Sequence, residues 1–84
     1  MKDLDNRKTP KEFHTRDLSE SAAILSCDIK LLRLEEGQGF YYFVFEDKDT
    51  QAICDRFWSG DLILSAKKFN DALRTLKDRL FARR

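Results

Sequence analysis

The sequence lacks the features that mark membrane, secreted and zinc-binding proteins. None of its apolar stretches approaches the roughly 18 residues that cross a bilayer, and its start, MKDLDNRKTPKEF, has no hydrophobic signal segment. Cys27 and Cys54 are the only cysteines, and they form neither a C-x-x-C pair nor a cluster with histidine. We therefore predict a cytoplasmic protein with two buried, reduced thiols and with no zinc, no cofactor and no membrane contact.

Histidine is equally scarce, which bears on catalysis. His14 is the only one, so a hydrolase triad would need it as the base, with Asp17 as the orienting group and a nearby serine as the nucleophile. The partners of such a triad meet through the fold and not by adjacency in sequence. The sequence thus predicts that the protein is not an enzyme and has no small-molecule substrate.

The remaining composition suits one small globular domain. Charged residues make up 37% of the 84-residue chain and apolar residues 42%. A chain of this length buries roughly 60–65% of the surface that it exposes when unfolded. We predict a flexible N-terminal lead-in at residues 1–11 and a single globular domain at residues 12–84. At this size a binding surface is expected rather than an elaborate active site.

The net charge of +1 conceals an uneven distribution. Residues 1–17 carry five basic and four acidic side chains, residues 18–65 carry four and nine, and residues 66–84 carry seven and two. An acidic body with a basic C-terminal part is typical of a nucleic-acid-binding or self-association surface.

Apolar periodicity and turn residues predict an α+β fold. The segments 29–35 and 40–46 are rich in β-formers and flank EGQG, whose glycines provide the positive φ angles of a tight turn. We therefore predict an antiparallel hairpin at the centre of a small sheet, joined by short strands near Phe13 and Leu62. Apolar residues at helical spacing predict three helices, at about 18–27, 49–58 and 66–81.

Local signals mark the starts of two predicted helices. Asp17 and Glu20 form a variant capping box, in which Asp17 accepts a backbone hydrogen bond and Glu20 reaches back. The acidic cluster of Glu46, Asp47 and Asp49 lacks the alternating pattern of a calcium loop. We predict that this cluster caps the second helix instead of binding a metal.

The run GFYYFVF places aromatic rings on both faces of the second hairpin strand. Alternation assigns Phe40, Tyr42 and Val44 to one face and the intervening residues to the other. QGFYYFVF also resembles the longer motif of RNA-recognition domains, which implies that Phe40 and Tyr42 are exposed stacking rings and that Phe43 and Phe45 are buried. The alternative is a central strand covered by helices on one face and partly buried on the other in a symmetric dimer.

The third predicted helix carries a concentration of basic side chains. A basic ridge there would displace counterions from a phosphate backbone. Lys67 with Asp71, and Arg74 with Asp78, are spaced i,i+4 and instead predict salt bridges on a solvated face. The candidate binding surface combines the ridge with the aromatic face and consists of Phe40, Tyr42, Lys67, Lys68, Arg74, Lys77, Arg79, Arg83 and Arg84.

A second resemblance covers most of the chain. The succession FHTRDL, AAIL, FVFED, FWSGDLILSAKKF and LKDRL resembles a family of short bacterial and phage proteins classified as a domain of unknown function. In that family Thr-x-Asp-Leu precedes the first helix and Phe-Val-Phe-Glu-Asp precedes the second. The resemblance implies the same architecture and a prokaryotic origin, and it implies no activity.

Two functions from different classes follow from these patterns. The first is a small non-enzymatic binding or accessory module that acts through a protein partner or as a homodimer. The alternative is a nucleic-acid-binding protein that uses the basic last helix and the aromatic hairpin face. The exposure of the Phe40, Tyr42 and Trp58 rings discriminates between them, because base stacking requires a free ring face.

Overall fold

Three antiparallel strands and three helices make up the part of the chain that the computed structural model describes, residues 11–83. In chain order they are β1 (Glu12–Thr15), α1 (Leu18–Ser26), β2 (Leu31–Glu36), β3 (Tyr41–Glu46), α2 (Thr50–Ser59) and α3 (Ala66–Ala82). The sheet has the order β1-β3-β2. This confirms the predicted α+β fold, and every predicted helix and hairpin strand lies within two residues of its observed bounds.

The β2–β3 hairpin closes through a turn in which the two glycines act differently. Gly39 has the predicted positive φ of 82°, whereas Gly37 is not left-handed. A Cβ atom on Gly37 would lie 2.6 Å from Cε1 of Phe40, so this glycine leaves space for the Phe40 ring. The prediction of a positive φ was therefore wrong for Gly37, whose function is steric.

All three helices cover one face of the sheet. Phe43 and Phe45 of the central strand and Leu34 of β2 point to this face and are buried with residues of the helices. Helix α1 packs against both α2 and α3 and forms the middle of the helical layer. Residues 11–83 thus form a two-layer domain with three strands, whereas an RNA-recognition domain has four.

The other face of the sheet is covered by charged side chains instead of a helix. Val44 is 0% exposed and lies between His14 of β1 and Arg33 of β2 in the sheet register. The Arg33 guanidinium donates to both carboxylate oxygens of Glu12 at 2.9 Å and to Glu35 at 2.8 Å. Because this network closes over the strand, the burial of Val44 needs no second subunit.

Of the capping box predicted at the start of α1, the bond to Asp17 is present and the bond from Glu20 is not. Asp17 accepts a hydrogen bond from the backbone N–H of Glu20 at 2.8 Å, as predicted. The Glu20 carboxylate does not return to Asp17. It accepts from Trp58 Nε1 at 2.8 Å and from Cys54 Sγ at 3.0 Å. Glu20 therefore joins α1 to α2 because two donors of α2 lie within its reach.

Only one residue of the acidic cluster caps α2 with its side chain. Asp47 accepts from the backbone N–H of Thr50 at 3.2 Å, while the side chain of Asp49 makes no capping bond although Asp49 occupies the N-cap position. Glu46 instead forms an ion pair with Lys48 at 3.3 Å. The predicted capping role is correct for Asp47 and wrong for the other two residues.

The segment between α2 and α3 contains no strand, so the strand predicted near Leu62 was wrong. The backbone N–H groups of Asp61 and Leu62 donate to the Arg56 carbonyl at 2.9 and 3.1 Å, which ties this segment to the helix end and away from the sheet. Residues 1–10 of the predicted lead-in, and Arg84, lie outside the described residues. Within 11–83, no helix combines the length and hydropathy that crossing a bilayer requires.

Two residues that follow helix ends have a left-handed backbone conformation. Substitutions at these two positions give a matched test of how this conformation affects stability. Asp28 follows α1 with φ 64°, and Gly60 follows α2 with φ 84°. We expect Asp28→Gly to raise the free energy of unfolding by about 0.5–1 kcal/mol, because glycine adopts this conformation without strain and a carboxylate is unfavourable at a helix C-terminus. The exposed pair of Asp28 with Lys68, at 3.4 Å, offsets little of this gain.

Gly60→Ala is the control and should lower the free energy of unfolding by about 1–2 kcal/mol. Urea denaturation of the three proteins measures both effects. A shift of both variants in the same direction would contradict the assignment.

Candidate binding pocket

The structure does not bring the predicted site residues onto one surface. Tyr42 lies on the face of the sheet that no helix covers, where its ring contacts His14 with centroids 6.0 Å apart. Helix α3 lies in the layer on the opposite face. The predicted surface therefore consists of at least two separate parts within residues 11–83, and a single ligand strand would have to pass around the edge of the sheet to contact both.

The basic side chains of α3 are themselves divided. At 3.6 residues per turn, Lys67, Arg74 and Lys77 fall on one flank of the helix, and Lys68, Arg79 and Arg83 fall on the other. Asp71 and Asp78 lie between the flanks. Lys67 pairs with Asp71 at 3.0 Å, as predicted, and Lys68 pairs with Asp28 at 3.4 Å. The predicted pair of Arg74 with Asp78 is absent from the described ion pairs, so that prediction was wrong.

The Phe40 ring is already packed within the chain. The Arg16 guanidinium carbon lies 3.7 Å from the centroid of the ring, Tyr42 contacts it edge-on at 5.1 Å, and Gly37 lies against its edge. A cation over an aromatic face is an attractive contact. Phe40 therefore supports the hairpin turn, and the ring face below Arg16 is closed to a stacking base.

A pocket opens where the hairpin turn meets the start of α1 and the end of α3, and we call it the hairpin-end pocket. Its volume is about 490 Å³. Apolar side chains form most of its wall, and two charged residues complete it; the lining consists of Arg16, Leu18, Glu36, Gly39, Phe40, Tyr41, Phe43 and Leu80. Of the predicted site residues, Phe40 alone lines this pocket.

Each part of the lining has a local structural cause. Leu18 is the first residue of α1, which the Asp17 side chain caps, and Leu80 lies in the last turn of α3 on its inward side. The Tyr41 hydroxyl donates to the Arg83 carbonyl at 3.3 Å, and the Arg83 guanidinium lies 5.3 Å from the Tyr41 ring centroid. These contacts join the end of α3 to the hairpin beside the pocket.

Sequence reasoning missed most of the pocket. Glu36 and Leu80 lie far along the chain from Arg16 and Leu18, and no spacing rule connects them. Their only sequence signal is position, because each stands next to the end of a predicted element. Elements that meet at one end of a two-layer domain place such residues together.

The two thiols differ more than predicted. Cys54 is 2% exposed, whereas Cys27 is half-buried, so the prediction that both are buried holds for Cys54 alone. Burial raises the pKa of Cys54 to about 12, and its hydrogen bond to the Glu20 carboxylate acts in the same direction. Burial also raises the pKa of Cys27. Neither cysteine has the lowered pKa of a reactive thiol.

Few other features of residues 11–83 suggest a binding or metal site. No group of three or more His, Cys, Asp and Glu side chains lies close enough to hold a metal ion there. Trp58 and Ile63 are exposed, by 60% and 91%, near the α2–α3 connection. The indole N–H of Trp58 is already bonded to Glu20. The hairpin-end pocket is therefore the main concave, apolar feature of this part of the chain.

Comparison with known proteins finds no relative of this domain: no protein family, curated protein or solved structure matches the chain. The resemblance to the family of short bacterial and phage proteins stays a prediction. The class that the structure defines is a two-layer α+β domain with three strands among its described residues and a pocket at one end.

Proposed function

We propose that this chain is a cytoplasmic, non-enzymatic protein-interaction module that binds a segment of a partner protein in the hairpin-end pocket. The observation that carries the proposal is the apolar wall of this pocket, which no described residue fills. Ligand pockets are typically about 300–1,000 Å³, with mostly apolar walls and a few polar groups. The hairpin-end pocket, at about 490 Å³ with two charged residues, has this form.

The nucleic-acid alternative has weaker support. Stacking on Phe40 would require Arg16 to leave the ring that it covers at 3.7 Å. The basic residues of α3 lie on two flanks with carboxylates between them, so a phosphate backbone that follows one flank is repelled by Asp71 and Asp78. A partner protein needs neither a free ring face nor a continuous ridge.

A display library of random peptides tests the proposal. Peptides enriched on the wild-type protein should bind it in solution, and Leu80→Gln should weaken them by at least about tenfold, because a polar group then replaces part of the apolar wall. Ile53→Gln is the matched control. It makes the same kind of change at another half-buried residue that packs on the core, outside the pocket, and should leave peptide affinity unchanged.

Two further titrations separate the competing functions. We titrate the protein at low salt with a fluorescent single-stranded oligonucleotide and with a duplex. We expect neither to bind through Arg74 and Lys77. If the double variant Arg74→Gln, Lys77→Gln abolishes strong nucleic-acid binding while no library peptide binds, the nucleic-acid function replaces the one proposed. Sedimentation of the wild type and of Leu80→Gln shows whether the chain self-associates and whether that association depends on the pocket.

A further inference from the structure

We infer that the segment recognised by the hairpin-end pocket is acidic and carries one large apolar side chain as its anchor. This inference rests on the proposed function and adds the chemistry of the partner. The anchor follows from the wall of the pocket, where Leu18, Phe43 and Leu80 offer aliphatic and aromatic surface. Burial of one such side chain is the usual centre of a protein interface.

The acidity follows from two arginines whose positions are already set. Arg16 lies over Phe40 and Arg83 lies near Tyr41, and both rings line the pocket. Neither guanidinium forms an ion pair with a carboxylate in the part of the chain described here, whereas four other lysine and arginine side chains do. Because stacking on a ring leaves the N–H groups of arginine free, each can donate to a carboxylate of a bound segment.

Glu36 is the negatively charged residue that lines the pocket, and it restricts where the carboxylates of a bound segment can lie. Its side chain belongs to an exposed residue at the end of β2 and has no ion-pair partner among residues 11–83. Two cations and one anion around an apolar pocket favour a segment whose carboxylates contact Arg16 and Arg83 and avoid Glu36. A uniformly basic segment would contact Glu36 alone and meet repulsion from both arginines.

A nucleotide fits the same pocket less well. A base needs a free aromatic face on which to stack, and Arg16 covers a face of Phe40 at 3.7 Å. A phosphate placed near the pocket also meets the Glu36 carboxylate. Every linkage of a nucleic acid carries a negative charge, whereas a partner protein can have carboxylates only where they meet the arginines.

Defined peptides test the inference. The probes are acetyl-Glu-Asp-Phe-Glu-Asp-amide, the same peptide with alanine for phenylalanine, and acetyl-Lys-Arg-Phe-Lys-Arg-amide, followed by amide chemical shifts of the labelled protein. We expect the acidic phenylalanine peptide to bind tightest and to move signals of pocket residues. Arg16→Gln should weaken it about two- to fivefold, and Glu36→Gln should strengthen it by a similar factor.

Controls separate charge from packing. Arg16→Lys keeps the positive charge and should retain most of the affinity, and Arg74→Gln, which removes a cation of α3 outside the pocket, should change nothing. The preference for the acidic over the basic peptide should shrink as salt rises, because exposed charges are screened. Loss of the effect of Arg16→Gln at low salt would contradict an electrostatic origin.

The outcomes distinguish this inference from the proposed function. Equal affinity for acidic and basic phenylalanine peptides, or binding of library peptides but of none of the three probes, overturns the inference and leaves the proposed function standing. Absence of binding by every library peptide overturns the proposed function itself. Displacement of the acidic peptide by a single-stranded oligonucleotide would show that the pocket takes a nucleic acid, and the inference would be wrong.

Discussion

Replacing Phe45 with alanine lowers the free energy of unfolding by about 3–5 kcal/mol. Phe45 is 0% exposed near the end of β3, where it pairs with Phe13 of β1 and Leu31 of β2, and it faces the helical layer. Removal of the ring takes away its contacts and leaves a cavity that a three-stranded sheet cannot close. Domains of this size are stable by about 5–15 kcal/mol in all, so the loss is a large part of the total.

Urea denaturation followed by circular dichroism measures this change, and two variants keep the test decisive. Phe45→Leu removes less volume, should cost about 1–2 kcal/mol, and stays folded if the alanine variant does not. Ile63→Ala truncates a side chain that is 91% exposed and should change stability by no more than about 0.5 kcal/mol. A loss below about 1 kcal/mol for Phe45→Ala would contradict the placement of this ring in the core.

The second large effect concerns the rate at which the thiols react. With a pKa of about 12 for Cys54, the thiolate fraction at pH 8 is about a thousandfold below that of an ordinary cysteine with a pKa near 8.5. The thiolate is the reactive form, but a thiolate of higher pKa is also the stronger nucleophile, so a disulfide reagent should label native Cys54 at least about tenfold more slowly than the unfolded chain. Cys27 is half-buried and should react faster than Cys54.

Single-cysteine proteins separate the two rates. In Cys27→Ser the labelling rate is that of Cys54 alone. In Cys54→Ala it is that of Cys27 alone, with a small loss of packing in the core. Glu20→Gln in the Cys27→Ser background removes the carboxylate that accepts from the thiol and should speed the labelling of Cys54, while burial keeps it slow. Equal rates for the two native thiols would show that Cys54 is not held as the structure has it.

The elements of the fold could be predicted because their signals are local. Alternation in FYYFVFE identifies the two faces of β3, and Phe43 and Phe45 are buried as expected. Asp17 marks the start of α1, as predicted, by accepting a hydrogen bond from the backbone N–H of Glu20, three residues further on. Such signals need no knowledge of the tertiary structure, which is why their predictions are correct.

The wrong prediction for Glu20 and the missed pocket both depend on contacts between distant residues. Glu20 has the sequence of a capping residue, yet Trp58 and Cys54 bind its carboxylate, and only the packing of α2 on α1 brings them there. The same holds for the hairpin-end pocket. Arg16 and Phe40 are in contact because β1 and the hairpin turn lie at the same end of the sheet. Their spacing along the chain does not predict this contact.

The strand order β1-β3-β2 also determines how the sheet can be assembled. Strands β2 and β3 are joined by a short turn, so their pairing closes a small loop at low entropic cost. Thr15 of β1 pairs with Phe43 of β3, and all of α1 and β2 lie between them in the chain. The hairpin therefore forms more readily than the β1–β3 ladder. Strand β1 then adds to an existing template, and the ion pair between Glu12 and Arg33 joins the first strand to the hairpin only at this last step.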